Sequence, residues 1–263
     1  MKSKLFKSTR PVVGMIHVGA LPGTPANHHS LARIEKLAVA EASMYRELGV
    51  NGVALENMHD VPYLKGGVGP EIVASMTILG QAIKSEFSGV TGIQVLAAAN
   101  REALAVAQAA RLDWVRVEGF VFAHVADEGF IDSCAAELLR YRKAIGAERI
   151  QIWADIKKKH ASHAITADVS LGQTAEAAEF MRADALIVTG PATGKPPTPK
   201  EVEEARENTH LPVLLGSGMT AKNIQQFLRV ANGFIVGSEF KRGGHWENPL
   251  DPNRIESFLK AIR

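Results

Sequence analysis

Pro212-Val213-Leu214-Leu215-Gly216-Ser217-Gly218-Met219-Thr220 is a short apolar run that stops on glycine and serine, and Gly233-Phe234-Ile235-Val236-Gly237-Ser238 repeats the pattern. Runs this short and apolar suit buried strands, and the turn residues that end them mark where strand gives way to loop. Between the two, Thr220 precedes residues 221–230, whose apolar positions fall at helical spacing. Strand, glycine-rich turn, helix and strand form the repeating unit of a parallel sheet.

Working outward, the same unit recurs along the chain. Candidate strands lie at Pro11–His17, Gly52–Asn57, Gly92–Leu96, Trp114–Glu118, Ile150–Ile156, Ala185–Thr189, Pro212–Gly216 and Gly233–Gly237. Helix-start residues precede several of the stretches between them, namely Ser30, Asn100, Asp132 and Thr220, and Gly49 stands where a left-handed helix end is expected. A last helix is expected near Pro252–Ile262. Eight strands alternating with eight helices predict an α/β fold of the TIM (β/α)₈ barrel type, as one domain over residues 1–263. A doubly wound open sheet needs similar strands, but no G-x-G-x-x-G turn follows the first of them.

Composition agrees with one large core. Of the 263 residues, 46% are hydrophobic and 22% charged, which excludes global disorder. A net charge of +2, with Lys157-Lys158-Lys159 as the only dense basic run, speaks against a nucleic-acid partner. No window approaches the roughly 20 apolar residues of a membrane span. With Cys134 as the sole cysteine and no secretory signal pattern, a cytoplasmic protein is the expectation.

In a TIM barrel the ligand site lies at the C-terminal strand ends, and the loops after the seventh and eighth strands frequently hold a phosphate. Gly216, Ser217, Gly218, Gly237 and Ser238 occupy those loops, where backbone amides can approach an anion closely. Tight turns alone would use the same glycines. Other strand ends supply His17, Glu56 with Asn57, Arg116 with Glu118, Asp155 with Lys157, Lys159-His160, and Thr189. Strand alternation puts Arg116 with Glu118, and Asp155 with Lys157, on common faces, where charges are costly unless paired, metal-bound or used. Asp155, Lys157 and Glu56 are therefore candidate proton-transfer groups, with His17 and His160 orienting substrate and Arg116 neutralising an enolate or carboxylate. A desolvated Lys157 also suits Schiff-base chemistry. Asn57 and Thr189 join the substrate-binding set. Structural ion pairing is the alternative for the same charges. No cofactor is assigned. His17, Glu56, Asp155 and His160 leave a divalent metal open, although no H-x-H or H-E-x-x-H motif is present. The absence of a G-x-S-x-G elbow and of a Walker loop weighs against an α/β-hydrolase and a P-loop enzyme.

A family pattern then emerges. Gly14-Met15-Ile16-His17 with Leu21-Pro22-Gly23-Thr24-Pro25 is one part of it, and Glu56-Asn57 with Asp60-Val61-Pro62-Tyr63 is another. Lys159-His160-Ala161, Val188-Thr189-Gly190 with Thr193-Gly194, and residues 212–218 with Asn223 continue it. Val236-Gly237-Ser238 with Lys241 and Gly243-Gly244 completes it. Together these stretches resemble the BtpA (BtpA/SgcQ) family over nearly the whole chain. The resemblance implies a barrel akin to the ribulose-phosphate-binding barrels, in a family named for photosystem I biogenesis whose other members look like sugar-metabolism proteins. Met58-His59-Asp60 and the Lys157–His160 run depart from the commoner family pattern.

The leading expectation is an enzyme acting on a small phosphorylated metabolite, a sugar or nucleoside phosphate, by lyase, isomerase or aldol-type chemistry. A non-catalytic assembly factor for a protein complex and a metal-dependent hydrolase are the alternatives, and homo-oligomerisation is left open.

Overall fold

The computed structural model describes residues 5–190 and 194–262. Its strands in chain order are β1 (Val12–His17), β2 (Gly52–Glu56), β3 (Val90–Gln94), β4 (Trp114–Val117), β5 (His124–Ala126), β6 (Gly129–Ile131), β7 (Gln151–Ile156), β8 (Ala161–Ser162), β9 (Ala185–Val188), β10 (Val213–Leu215) and β11 (Gly233–Val236). Its α-helices are α1 (Leu31–Glu47), α2 (Pro70–Glu86), α3 (Asn100–Ala109), α4 (Ala135–Ala144), α5 (Leu171–Phe180), α6 (Pro199–Glu207) and α7 (Pro252–Ile262). Eight strands, all but β5, β6 and β8, close into a parallel barrel in which β1 pairs with both β2 and β11. The expected (β/α)₈ architecture is what the chain adopts.

The helical ring departs from expectation in one place. Residues 221–230 do not form an α-helix; a 3₁₀ turn, Ile224–Gln226, stands there, leaving seven α-helices among the described residues. Thr220 and Asn223 still start a turn there: the Thr220 amide donates to Asn223 Oδ1 at 2.8 Å and the Asn223 amide donates to Thr220 Oγ1 at 3.3 Å, the reciprocal bonds of a capping box, and the turn winds no further than 3₁₀. Ser30 does cap α1, accepting from the Arg33 amide, and Gly49 ends it with a φ of +76°. Asn100 and Asp132 do not act as the expected caps. Asn100 is the first residue of α3 and donates to the Glu118 carbonyl, whereas Asp132 accepts from the Ser133 amide three residues before α4 begins.

Period-two alternation fills the barrel. At its lower level Trp114 and Trp153 stack with ring centroids 3.9 Å apart and planes 17° from parallel. Gly92 lies beside Trp114 in register, and a Cβ there would strike the indole. Phe6 closes the floor, 6.0 Å from Trp153, and Val13, Met15, Ile187, Leu214 and Ile235 complete this inner cluster. A separate apolar layer joins the outer strand faces to the helices.

The small sheet β6-β5-β8 is antiparallel and had no counterpart in the sequence reading. Strands of two or three residues give no measurable alternation. This sheet ties the loop after β4 to the loop after β7 beside the barrel mouth.

Candidate functional site

Two residues above the indoles, the same strands turn charged. Arg116 follows Trp114 on β4 and Asp155 follows Trp153 on β7, and their side chains form a buried bidentate pair at 2.8 and 3.0 Å. Glu118 is held by the Gln94 amide at 3.1 Å, the Ala98 backbone NH at 3.0 Å and Lys158 Nζ at 3.2 Å. Pairing therefore differs from the expected same-strand sets. Arg116 reaches across to Asp155, and Glu118 takes Lys158. Burial raises the Asp155 carboxyl above its ordinary value, with the Arg116 guanidinium opposing that shift.

Glu56 and Lys159 complete a group of three carboxylates facing three cations. Burial pushes the Glu56 carboxyl up, against the pull of Arg116 and Lys159. Burial also pulls the Lys159 amine down, and the Arg116 charge adds to the effect. An acid shifted up and an amine shifted down in one pocket are brought closer in proton affinity. His17 joins them. Its Nδ1 lies 3.2 Å from the Trp246 carbonyl, which can only accept, so Nδ1 carries the hydrogen and the bare Nε2 faces Glu56 Oε2 at 3.6 Å. Burial first, and then Lys241, lowers the His17 pKa to about 3, so the ring is neutral at physiological pH.

A cavity of about 270 Å³ opens over His17, Glu56, Arg116 and Lys159 and extends to Gly216, Ser217, Gly218, Gly237 and Ser238. A second, of about 390 Å³, shares Glu56, Met58, Arg116 and Lys159 with the first. The two are halves of one mouth. His160 lies exposed on the rim of the second half, where burial and then Lys159 lower its pKa.

Lys157 is not there, which corrects its expected role. β7 ends at Ile156, and Lys157 adopts a left-handed φ of +48° that breaks the alternation. Its amine turns outward to the carbonyls of Val169 and Thr166. Lys159 lines the mouth instead. Asn57 and Thr189 support the rim through hydrogen bonds of their own. Asn57 donates to Asp60 at 2.8 Å and accepts from the Leu96 amide at 2.8 Å, while Asp60 accepts from the Leu21 amide at 2.8 Å. This network joins the loops after β1, β2 and β3. Thr189 Oγ1 accepts from the Lys159 backbone NH at 3.0 Å and so fixes the start of the Lys159 side chain.

The glycines of the β10 loop have a second duty. A Cβ on Gly218, whose φ is +70°, or on Gly190 would run into the backbone of Lys195 and Pro196. Thr193 lies outside the described residues. Among the described residues no group of three or more His, Cys, Asp and Glu side chains gathers for a metal. Asp155 is committed to Arg116, so His17, Glu56, Asp155 and His160 do not assemble as one donor set.

The profile of the BtpA family matches residues 8–263. The chain belongs to the BtpA family. A mitochondrial protein of Caenorhabditis elegans is 52% identical over 99% of this chain and 96% of its own length. The photosystem I biogenesis protein BtpA of Synechocystis is 33% identical, over 98% of this chain and 89% of its own. Among solved structures, thiamine phosphate pyrophosphorylase from Pyrococcus furiosus superposes with a TM-score of 0.59 at 16% identity, covering 97% of this chain and 95% of its own. Orotidine 5'-phosphate decarboxylase from Pyrococcus horikoshii gives 0.58 at 14%, over 96% and 98%. At such identities these two establish the barrel fold alone. No helix among the described residues is long and apolar enough to cross a membrane.

The geometry accounts for several of the BtpA-family stretches. Lys241 is buried and donates to Glu41 on α1 at 2.6 Å, and Gly243 and Gly244 take φ values of +65° and +75° in the turn that follows. That turn carries Trp246 to the mouth. Sequence reasoning missed Trp246, although an indole in a polar loop between Gly243-Gly244 and Asn248-Pro249 was a usable signal.

Proposed function

We propose that this BtpA-family protein is an enzyme acting on a small phosphorylated metabolite, with Glu56 and Lys159 exchanging protons with the substrate. The observation that carries the reading is the joint placement of Glu56, Arg116 and Lys159 beneath a corner built from two glycine-serine loops. Glycine there lets backbone amides approach the phosphate, and the Arg116 charge lies near enough to favour an anionic intermediate. A proton transfer next to a carbonyl is the chemistry such a set serves, as in an isomerase, lyase or aldol-type step. His17, neutral with a bare Nε2, would accept a hydrogen bond from a substrate hydroxyl, or from Glu56 while that carboxyl holds a proton.

The pairing of Arg116 with Asp155 makes Asp155 a positioning residue in this scheme, and Lys159 takes the part that sequence alone gave to Lys157. Cytoplasm remains our proposed location, and a mitochondrial matrix would be as compatible with a single reduced cysteine.

Thermal stability against inorganic phosphate, ribose phosphate and unphosphorylated ribose tests the reading. A ligand at ~100 times its dissociation constant adds about 2.7 kcal/mol. Ribose phosphate should raise the melting temperature and ribose should not, and Ser238→Asp, which places a negative charge in the corner, should remove the shift. Gly218 is unsuitable for this test because its replacement displaces the Lys195–Pro196 backbone. No shift with any phosphorylated compound, together with a stoichiometric protein partner in a pull-down, would transfer support to an assembly role. Val61, Leu64, Val125 and Phe130, exposed on the loops around the mouth, are the observation behind that second reading.

A further inference from the structure

The two halves of the mouth differ in chemistry. One ends in the backbone of glycine and serine. The other is walled by Met58, Tyr63, Leu96, Ala97 and Trp246. We infer that this second half is a ring-binding subsite, so that the ligand is nucleotide-like: a phosphate in the glycine-serine corner, a sugar over Glu56 and Lys159, and a flat heterocycle against Trp246. The inference rests on the phosphate reading above and adds the class of molecule that fills the rest of the mouth.

Three independent features support it. The first is how firmly Trp246 is held. Lys241 and Leu250 form an antiparallel bridge, the Arg242 amide donates to the Pro249 carbonyl at 2.9 Å, and the buried Lys241–Glu41 pair ties the loop to α1. At its tip the indole packs on the His59 ring at 4.8 Å and meets the His17 ring nearly edge-on at 6.0 Å. A preset aromatic face loses little freedom when a ring stacks on it.

The second feature is Gln94. It is 3% exposed, lines the same half, and its Oε1 has no hydrogen-bond partner among the described residues. Turning the amide over would set that oxygen against Glu118 Oε1, which now accepts from Nε2 at 3.1 Å. That oxygen is itself closed off from the cavity surface, so a ring N–H or amino group, the donor it lacks, reaches it once the Gln94 side chain turns toward the mouth. The third feature is polarity. Glu118, Asp127, Glu128 and Asp155 line this half and not the other, against Lys158 and His160, so carboxylates outnumber cations here and a phosphate is left to the glycine-serine corner.

The other two tryptophans are fully buried in the barrel floor, so a change in fluorescence on ligand addition reports Trp246. The test titrates the full-length protein with adenosine monophosphate, purine riboside monophosphate, ribose phosphate and adenosine. Stacking should make adenosine monophosphate bind about tenfold tighter than ribose phosphate and quench the fluorescence. Purine riboside monophosphate, lacking the amino donor, should bind more weakly than adenosine monophosphate. Trp246→Ala should abolish the quench and the tenfold gain while leaving ribose phosphate affinity within about twofold, and Trp246→Phe should keep most of the gain. Ribose phosphate binding as tightly as adenosine monophosphate, with no quench, would overturn the ring subsite and leave the phosphate reading standing. Quenching by adenosine that a phosphate does not strengthen would support the ring subsite and overturn the phosphate corner. A failure of all four compounds to bind would overturn both.

Discussion

The two ends of the barrel interior are built from the same strands and have opposite chemistry. On β4 and β7 a step of two residues leads from Trp114 to Arg116 and from Trp153 to Asp155, and on β1 and β2 from Met15 to His17 and from Ala54 to Glu56. Below the step the side chains are apolar and fill the space with stacked indoles. Above it they are charged, or in His17 polar and neutral, and open to a cavity. The lower layer contributes stability by exclusion of water, whereas the upper layer spends stability on keeping buried charges in place. This division lets the floor act as a rigid base against which the charges are positioned.

The comparison can be broken most directly at the floor. Trp153→Ala should lower the unfolding free energy by about 3–5 kcal/mol, measured by denaturant titration. Ligand binding by the fraction still folded should weaken too, since Asp155 stands two residues above Trp153 on β7. A loss below about 1 kcal/mol would mean that the floor is not closely packed. At the mouth, Arg116→Ala should cost a similar ~3–5 kcal/mol because it strands the buried Asp155 carboxylate. The double change Arg116→Met with Asp155→Leu should cost less than that single one. Additive losses would show that the pair does not act as a unit.

The smallest effect is in pH. His17 has a folded pKa near 3 against 6.5 for the free side chain, so the unfolded chain binds the extra proton first. Its contribution to stability is complete above pH 6.5 and is lost as the pH falls toward about 3. Glu56, shifted up, works in the opposite sense in the acid range. His17→Gln should therefore flatten the decline in stability between pH 6.5 and 5, a difference of about 2 kcal/mol by pH 5. Parallel wild-type and variant curves would remove His17 from the account.

The barrel was legible because each of its strands is a short apolar run punctuated by turn residues, and the fold depends on that local pattern. The helix expected after Thr220 is only a 3₁₀ turn, a difference that helical spacing does not register. In the site, alternation identified Arg116, Glu118 and Asp155 as inward-facing, since all three lie on or at the end of regular strands. It failed at Lys157, where the strand had already ended and one left-handed residue redirected the chain. Pairing across strands was also beyond it, because which cation meets which carboxylate depends on barrel register. Lys159 appeared as a residue after the strand end and in the family pattern but was given no role, and Trp246 did not appear at all.

The crossing of the Lys195–Pro196 backbone over Gly190 and Gly218 has an evolutionary consequence. Glycine at those two positions is demanded by one stretch of main chain lying on another, whatever occupies the mouth. A descendant that had lost its ligand would still be held to both residues by the need to fold, while Glu56, Lys159 and Trp246 would be released to drift. Among relatives, then, the retention of those three side chains would report a preserved activity, and the glycines would report only a preserved shape.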